Sequence, residues 1–212
     1  MRIDFVSDVT CPWCAIGMQA LEQALQRLGG EVRVELHLQP FELNPDMPPE
    51  GEDIVRYMGR KYGLTADEVA ERRAVIRERG AAVGFDFGPR THVWNTFDAH
   101  RMLHWAGLEG RSRELKRALF AAYHTRGENP GSHEVLRRLA GEVGLDAERA
   151  RAVLDSGQCA DEVRSKARQW QRHGIRSVPA TIVDGRHLIQ GGQPVEVFED
   201  ALRRIAAASG NT

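Results

Sequence analysis

From residue 12 onward the apolar positions Cys14, Met18, Leu21, Leu25 and Leu28 recur at steps of four, three, four and three, the spacing of a single helix face turned toward a core. Pro12 suits the first helical position, where its missing N–H has no intrahelical partner, and Gly29-Gly30 supplies a stop. Ahead of this helix, Arg2-Ile3-Asp4-Phe5-Val6 reads as a short strand. Behind it, Val32, Val34, Leu36 and Leu38 alternate with Arg33, Glu35, His37 and Gln39, which predicts a second strand running to Pro40. Together these segments make one β-α-β unit.

Asn44-Pro45-Asp46-Met47-Pro48-Pro49 breaks the pattern, and the next stretch of roughly a hundred residues carries almost no strand signal. Thr65-x-x-Glu68 is a capping box that opens a helix predicted to run to about Arg79. Further helices are predicted from Trp94 to Trp105, Ser112 to His124, Ser132 to Glu142 and Asp146 to Leu154, with Gly107, Gly110, Gly127 and Gly144 as punctuation. The frame then resumes. A helix is predicted from Ala160 to His173, a strand from Ser177 to Val183, a tight turn at Asp184-Gly185 and a strand from Arg186 to Ile189. A last helix is entered through Gly191-Gly192 and Pro194, with Val197, Phe198, Ala201, Leu202 and Ile205 on its apolar face. The order is β-α-β, helical insert, α-β-β-α, without internal repeats.

Composition narrows the function classes more than it selects one. A chain of 212 residues with 42% hydrophobic content can bury a good core, as one domain with a large insertion or two intimate ones. Its formal net charge of −1 gives no electrostatic reason to expect a nucleic acid or an anionic membrane as partner. No apolar run approaches the roughly 20 residues of a membrane span. The chain enters a strand directly, without a leader-like segment, so a cytoplasmic setting is expected.

The chemistry is concentrated in Cys11-Pro12-Trp13-Cys14. Two thiols separated by two residues at a helix start can close and reopen a disulfide, and in a reducing compartment such a pair beside a β-α-β unit reads as catalytic. Cys11 falls at the N-cap, where free backbone N–H groups and the helix dipole favour thiolate over thiol. Cys14, one turn in and on the apolar stripe, is expected to be shielded. This asymmetry makes Cys11 the nucleophile and Cys14 the resolving thiol. Cys159, the third cysteine, reads as a small buried apolar residue. A Cys2His2 zinc site from Cys11, Cys14, His100 and His104 is formally possible, because the two histidines are four apart on one helix face, but no metal ligand is assigned.

Three motifs in order, Ser7-Asp8-x-x-Cys-Pro-Trp-Cys, Asn95-Thr96-Phe97-Asp98-Ala99-His100-Arg101 and Ser177-Val178-Pro179-Ala180, resemble the thioredoxin superfamily, its DsbA-like branch and, within it, the FrnE-like oxidoreductases. The resemblance covers essentially the whole chain. It implies an α/β fold, a thioredoxin-like domain at residues 1–44 and 156–212, carrying a large all-helical insertion at residues 45–155. It also implies that Pro179 is cis and lies against the redox pair, and that Val178 offers its backbone to an extended substrate, as in strand addition. Asn95 and His100, on the insertion, become candidates for lining the cleft in a positioning or proton-transfer role, beside the plainer reading that they cap and pack their helix. Trp13 becomes an apolar contact for substrate.

The departures from that family concern proton and electron flow. DsbA carries an acidic residue six positions before its first active cysteine, where this chain has Phe5; Asp4 and Asp8 fall on other faces or nearer the loop, and Glu35 and His37 are weak substitutes. Trp13 stands where DsbA has histidine, which implies lower oxidising power. The favoured reading is a thiol-disulfide oxidoreductase acting on a protein or small-molecule disulfide or dithiol. It needs no cofactor beyond its own redox-active disulfide, with glutathione as a possible co-substrate. The alternative is a glutathione-dependent transferase or isomerase of the kappa-class or 2-hydroxychromene-2-carboxylate isomerase type, in which the first motif position is typically serine. The oligomeric state is not legible in the sequence.

Overall fold

A computed structural model describes residues 1–208; the end of the expected frame, 209–212, lies outside the described residues. The chain opens with β1 (Arg2–Ser7), α1 (Pro12–Arg27) and β2 (Glu35–Pro40). It continues through β3 (Glu52–Asp53), α2 (Ile54–Tyr62), α3 (Ala66–Ala81), β4 (His92–Val93), α4 (Phe97–Leu108), α5 (Ser112–Phe120), α6 (His133–Glu142) and α7 (Ala147–Asp155). A π-helical turn over Ala121–Thr125 extends α5. The chain closes with α8 (Ala160–Arg172), β5 (Ala180–Val183), β6 (His187–Gln190) and α9 (Val195–Ala208).

The main sheet has the order β2-β1-β5-β6, with β1 parallel to β2 and antiparallel to β5, and β5 antiparallel to β6. β1 is buried on both faces, which is why it reads as an apolar run interrupted only by Asp4. Ile3 and Phe5 join Val183, Leu21, Phe198 and Leu202 in a core shared with α1 and α9. On the opposite face Val6, Ala180 and Ile182 pack with Phe41 and Ile175 and against Trp170 of α8. A separate cluster fills the helical region, with Met102, Trp105, Leu115, Leu136 and Val153 around Val9.

The insertion is not an independent lobe. Val83, Phe87 and Phe120 are buried within the same cluster as α1. At roughly 1.5–3 kcal/mol for each large side chain removed from water, these contacts hold the helical region against α1, where Gln23 also donates to the Val83 carbonyl at 2.7 Å.

The elements depart from the sequence expectations for identifiable reasons. The second strand begins at Glu35, not Val32: its register with β1 opens at Arg2↔Glu35, and ahead of it the Met1 ammonium reaches across to the Arg33 carbonyl at 2.9 Å. The third begins at Ala180, which pairs with both Val6 and Gln190. α4 begins at Phe97, later than Trp94, because the Asn95 side chain bonds the Phe97 N–H at 2.8 Å. α2 was not anticipated, although its signals are ordinary: Asp53 caps the N–H groups of Val55 and Arg56, and Gly63 ends the helix in the left-handed conformation at φ 69°. The antiparallel pair β3 and β4 is too short for a period-two pattern to register.

Candidate active site

Cys11 is the N-cap of α1, with extended backbone dihedrals (φ −82°, ψ 114°), and its carbonyl accepts the N–H groups of Cys14 at 3.1 Å and Ala15 at 3.4 Å. Its own N–H is held by the Asp8 carbonyl at 3.3 Å. The Cys11 thiol donates to the carbonyl oxygen of Val178 at 3.5 Å, and the Val178–Pro179 peptide bond is cis. Cys11 and Cys14 are both free and lie 3.4 Å apart. Cys14 is completely buried in the α1 core. Burial, then the hydrogen bond and charge of Cys11, push its thiol well above the ordinary cysteine range, against the opposing pull of Lys116 and the Asp8 backbone N–H.

A cleft of about 750 Å³ opens over Cys11. Cys11, Trp13, Ser177 and Val178 line one side; Tyr57, Met58, Tyr62 and Ile76, from α2 and α3, line the other. Pro179 lies beneath, buried against α1, where a Cβ on Gly17 would come within 3.2 Å of the Pro179 ring.

Asn95 and His100 do not line this cleft. The Asn95 side chain amide donates to the carbonyls of Pro45 and Met47, and its carbonyl oxygen accepts the Phe97 N–H from the residue before the α4 N-cap, so it fastens the helix start rather than lining the cleft. His100 is buried under the Cys11 loop with Nε2 3.6 Å from Asp8 Oδ1. His37 pairs with Glu35 at 2.8 Å and, opposite Asp4 in the register, belongs to the sheet face away from the thiols. His104 approaches Lys166 at 3.5 Å, and among the described residues no group of three or more His, Cys, Asp or Glu side chains is disposed to hold a metal. Cys159 caps α8 in a left-handed conformation (φ 64°) and is buried in the helical cluster; burial raises its thiol.

Three polar groups lie under the site: Asp8, a motif residue to which the sequence gives no role there, and His124 and Lys116, which no motif marks. Asp8 is buried and accepts the N–H of Leu43 at 2.7 Å. Burial alone would raise its carboxyl, but His100, the Leu43 N–H and the Thr96 hydroxyl hold it below the ordinary range. His124, in the π-helical turn, bonds the Val9 carbonyl at 2.9 Å and fixes the loop before the cysteines. Lys116 is buried beside the Phe120 ring, 4.9 Å from its centroid, and burial brings its ammonium down to about 8 while Cys14, Asp8 and Cys11 pull the other way. Its signal was legible: Lys116 shares the buried face of α5 with Leu115, Leu119 and Phe120, a place where a lysine needs a reason.

A four-stranded mixed sheet with a two-cysteine helix start facing a proline loop defines a thioredoxin-type protein with a helical insertion. The chain belongs to the DSBA-like thioredoxin domain family, which it matches over residues 2–203. It is similar to a probable DsbA oxidoreductase of Streptomyces coelicolor, with 33% identity, a TM-score of 0.91 and coverage of 100% of this chain and 91% of that one. The fold is also that of a 2-hydroxychromene-2-carboxylate isomerase, at 14% identity and TM-score 0.78, with 99% and 98% of the chains covered. It is shared too with the cytosolic disulfide reductase DsbM of Pseudomonas aeruginosa, solved with GSH, at 17% identity and TM-score 0.68, covering 98% and 100%.

Proposed function

We propose that the protein is a thiol-disulfide oxidoreductase in which Cys11 is the nucleophile and Cys14 the resolving thiol. The observation that carries this reading is the asymmetry of the pair: Cys11 opens on the cleft against the Val178 carbonyl, whereas Cys14 is sealed behind it as a thiol. Cys11, as thiolate, attacks one sulfur of a substrate disulfide; a Cys11–substrate mixed disulfide forms and the other substrate sulfur leaves as thiolate. Cys14 then gives up its proton and attacks the Cys11 sulfur, the second substrate thiolate leaves, and the pair ends as a disulfide. The substrate has gained two electrons and the cysteines have lost two. Run backward, the same steps oxidise a dithiol.

Cys14 needs a proton acceptor, and Lys116 is the group we assign. It acts electrostatically on both thiols, and an amine brought down to about 8 by burial exchanges protons near neutral pH. An extended substrate would lie along Ser177 and Val178 at the rim, with Trp13 as apolar contact. Glutathione is the proposed co-substrate that returns the pair to its starting state, and the cytoplasm the proposed compartment. The FrnE-like group remains the proposed subfamily.

The isomerase-type reading would use the Cys11 position only to activate a bound glutathione thiol and gives Cys14 no task. Equilibration in glutathione buffers, acid quench, alkylation and mass counting distinguishes the two. The oxidoreductase reading expects a reversible two-electron loss confined to Cys11 and Cys14, and a mixed disulfide on Cys11 in Cys14→Ser. Absence of a Cys11–Cys14 disulfide at every accessible potential would sink it.

A further inference from the structure

The cleft over Cys11 has an uneven charge. Lys61, Arg72, Arg73, Arg90 and Arg176 line it, and Glu42 is its one acidic residue. Burial and the charge of Asp8 raise the Glu42 carboxyl, with His100 and Arg164 opposing.

None of those cations forms an ion pair among the described residues, although other arginines of the chain do. Arg60, next to Lys61, reaches Glu52 at 2.6 Å, and Arg113 and Arg117 share Glu22. The cleft cations donate only to uncharged oxygens. Lys61 bonds the Leu43 carbonyl and Asn44 Oδ1, Arg73 bonds the Arg90 carbonyl at 2.9 Å, and Arg176 bonds the Gln171 carbonyl. Arg90 is the most telling. It is 9% exposed, its guanidinium reaches the Thr10 carbonyl at 3.5 Å, one residue from Cys11, and it also meets the ring and the hydroxyl of Tyr123. A buried guanidinium is costly without a countercharge. Arg73 stands beside it with like charge; Asp53 acts on Arg73 electrostatically from α2's cap, but neither guanidinium is ion-paired with a carboxylate among the described residues.

We propose that this cleft selects disulfides and thiols whose flanking groups are anionic and whose body is apolar, with Arg73 and Arg90 receiving a carboxylate and Lys61, Arg72 and Arg176 steering it in. The apolar body lies on Trp13, Tyr57, Met58 and Ile76. This specificity rests on the oxidoreductase reading. It is electrostatic, so it acts mainly on the encounter rate and weakens with salt.

The test uses the reduced full chain and three small aliphatic disulfides in single-turnover reactions: 3,3′-dithiodipropionate (dianion), bis(2-hydroxyethyl) disulfide (neutral) and cystamine (dication). Each rate is divided by that of free dithiothreitol with the same disulfide, which removes intrinsic reactivity. The dianion should exceed the dication by on the order of ten-fold at low ionic strength, within the range such fields produce, and the excess should shrink as sodium chloride is added. In Arg72→Gln/Arg176→Gln, both side chains exposed in the native protein, the dianion-to-neutral ratio should fall. A general loss of activity would not change that ratio. Equal normalised rates, or a ratio that neither salt nor the double variant moves, would overturn the proposal while leaving the redox chemistry standing. Failure of all three disulfides to oxidise the Cys11–Cys14 pair would instead count against the oxidoreductase reading itself.

Discussion

The thiol of Cys11 meets the carbonyl oxygen of Val178 at 3.5 Å, across 167 residues of chain. That contact depends on how closely the loop before β5 can sit on α1, and two glycines set the approach. A Cβ on Gly17 would stand 3.2 Å from both the Pro179 ring and the Gly192 backbone; one on Gly192 would stand 2.7 Å from the Trp13 carbonyl oxygen.

The two glycines should therefore differ in what they tolerate. Gly17→Ala gains about 1 kcal/mol of helix propensity and loses roughly 1–3 kcal/mol by overpacking, for a net destabilisation of about 1 kcal/mol. Gly192→Ala meets backbone and should lose more, with a several-fold slower reaction at Cys11. Urea denaturation and single-turnover alkylation-trapped kinetics on both variants check this. Equal effects would mean that the loop yields freely and does not set the Cys11 environment.

Asn95→Ala separates capping from cleft chemistry. The side chain bonds the Phe97 N–H and the carbonyls of Pro45 and Met47. Its loss should destabilise the protein by about 1–2 kcal/mol and leave the rate of disulfide exchange at Cys11 within two-fold, roughly, of the wild type. Unchanged stability with a ten-fold slower exchange, about 1.4 kcal/mol of barrier, would return Asn95 to the active site.

The frame was legible because α1 and α9 each bury one regular face while β1 and β5, buried on both faces, read as short apolar runs, and the motifs marked Cys11, Cys14, Trp13 and Val178 across most of the chain. What neither could place were groups whose role depends on tertiary approach. Asp8 sits one turn before the cysteines, but its partners Leu43, Thr96 and His100 come from three separate segments. His100 was picked out by its motif and assigned to the cleft because a helix pattern does not say which buried neighbour a polar residue on its inner face will meet. Arg90 lies in an irregular segment between α3 and β4, where no periodicity distinguishes a buried arginine from a solvated one.

Lys116 ties catalysis to a stability cost with a defined pH window. Its value of about 8, against 10.5 in an exposed lysine, means the unfolded chain holds this proton more tightly. The cost, on the order of 3 kcal/mol at 1.36 kcal/mol per pKa unit, is fully present below pH 8 and disappears as pH rises toward 10.5. Lys116→Met should therefore be the more stable protein at pH 7, with the advantage shrinking above pH 8. Both proteins keep Cys14, so its titration largely cancels in the comparison. The same variant should prolong the Cys11 mixed disulfide by about 10²-fold, the lower end for a general base, read by quenching and mass analysis. A variant that resolves the mixed disulfide at the wild-type rate would remove Lys116 from the mechanism.

His124 carries a second pH dependence of opposite practical consequence, at the acid end. Burial first, then the charges of Arg90 and Lys116, hold its imidazole well below the ordinary 6.5, against the opposing bond to Val9. The unfolded chain thus binds a proton that the native chain refuses. Native stability contributed by the neutral ring is full above about pH 6.5 and falls as the pH drops below it, by up to about 1.4 kcal/mol per pH unit. His124→Gln keeps an N–H donor at the position of Nε2 for the Val9 carbonyl but cannot titrate. The variant should be less stable than wild type at pH 7.5, because its side chain fills less of the aromatic cluster of Phe85, Phe87, Phe120 and Tyr123. The difference should narrow steadily toward pH 5. Urea midpoints across that range decide it; parallel pH profiles for the two proteins would show that His124 takes up its proton without leaving the native state.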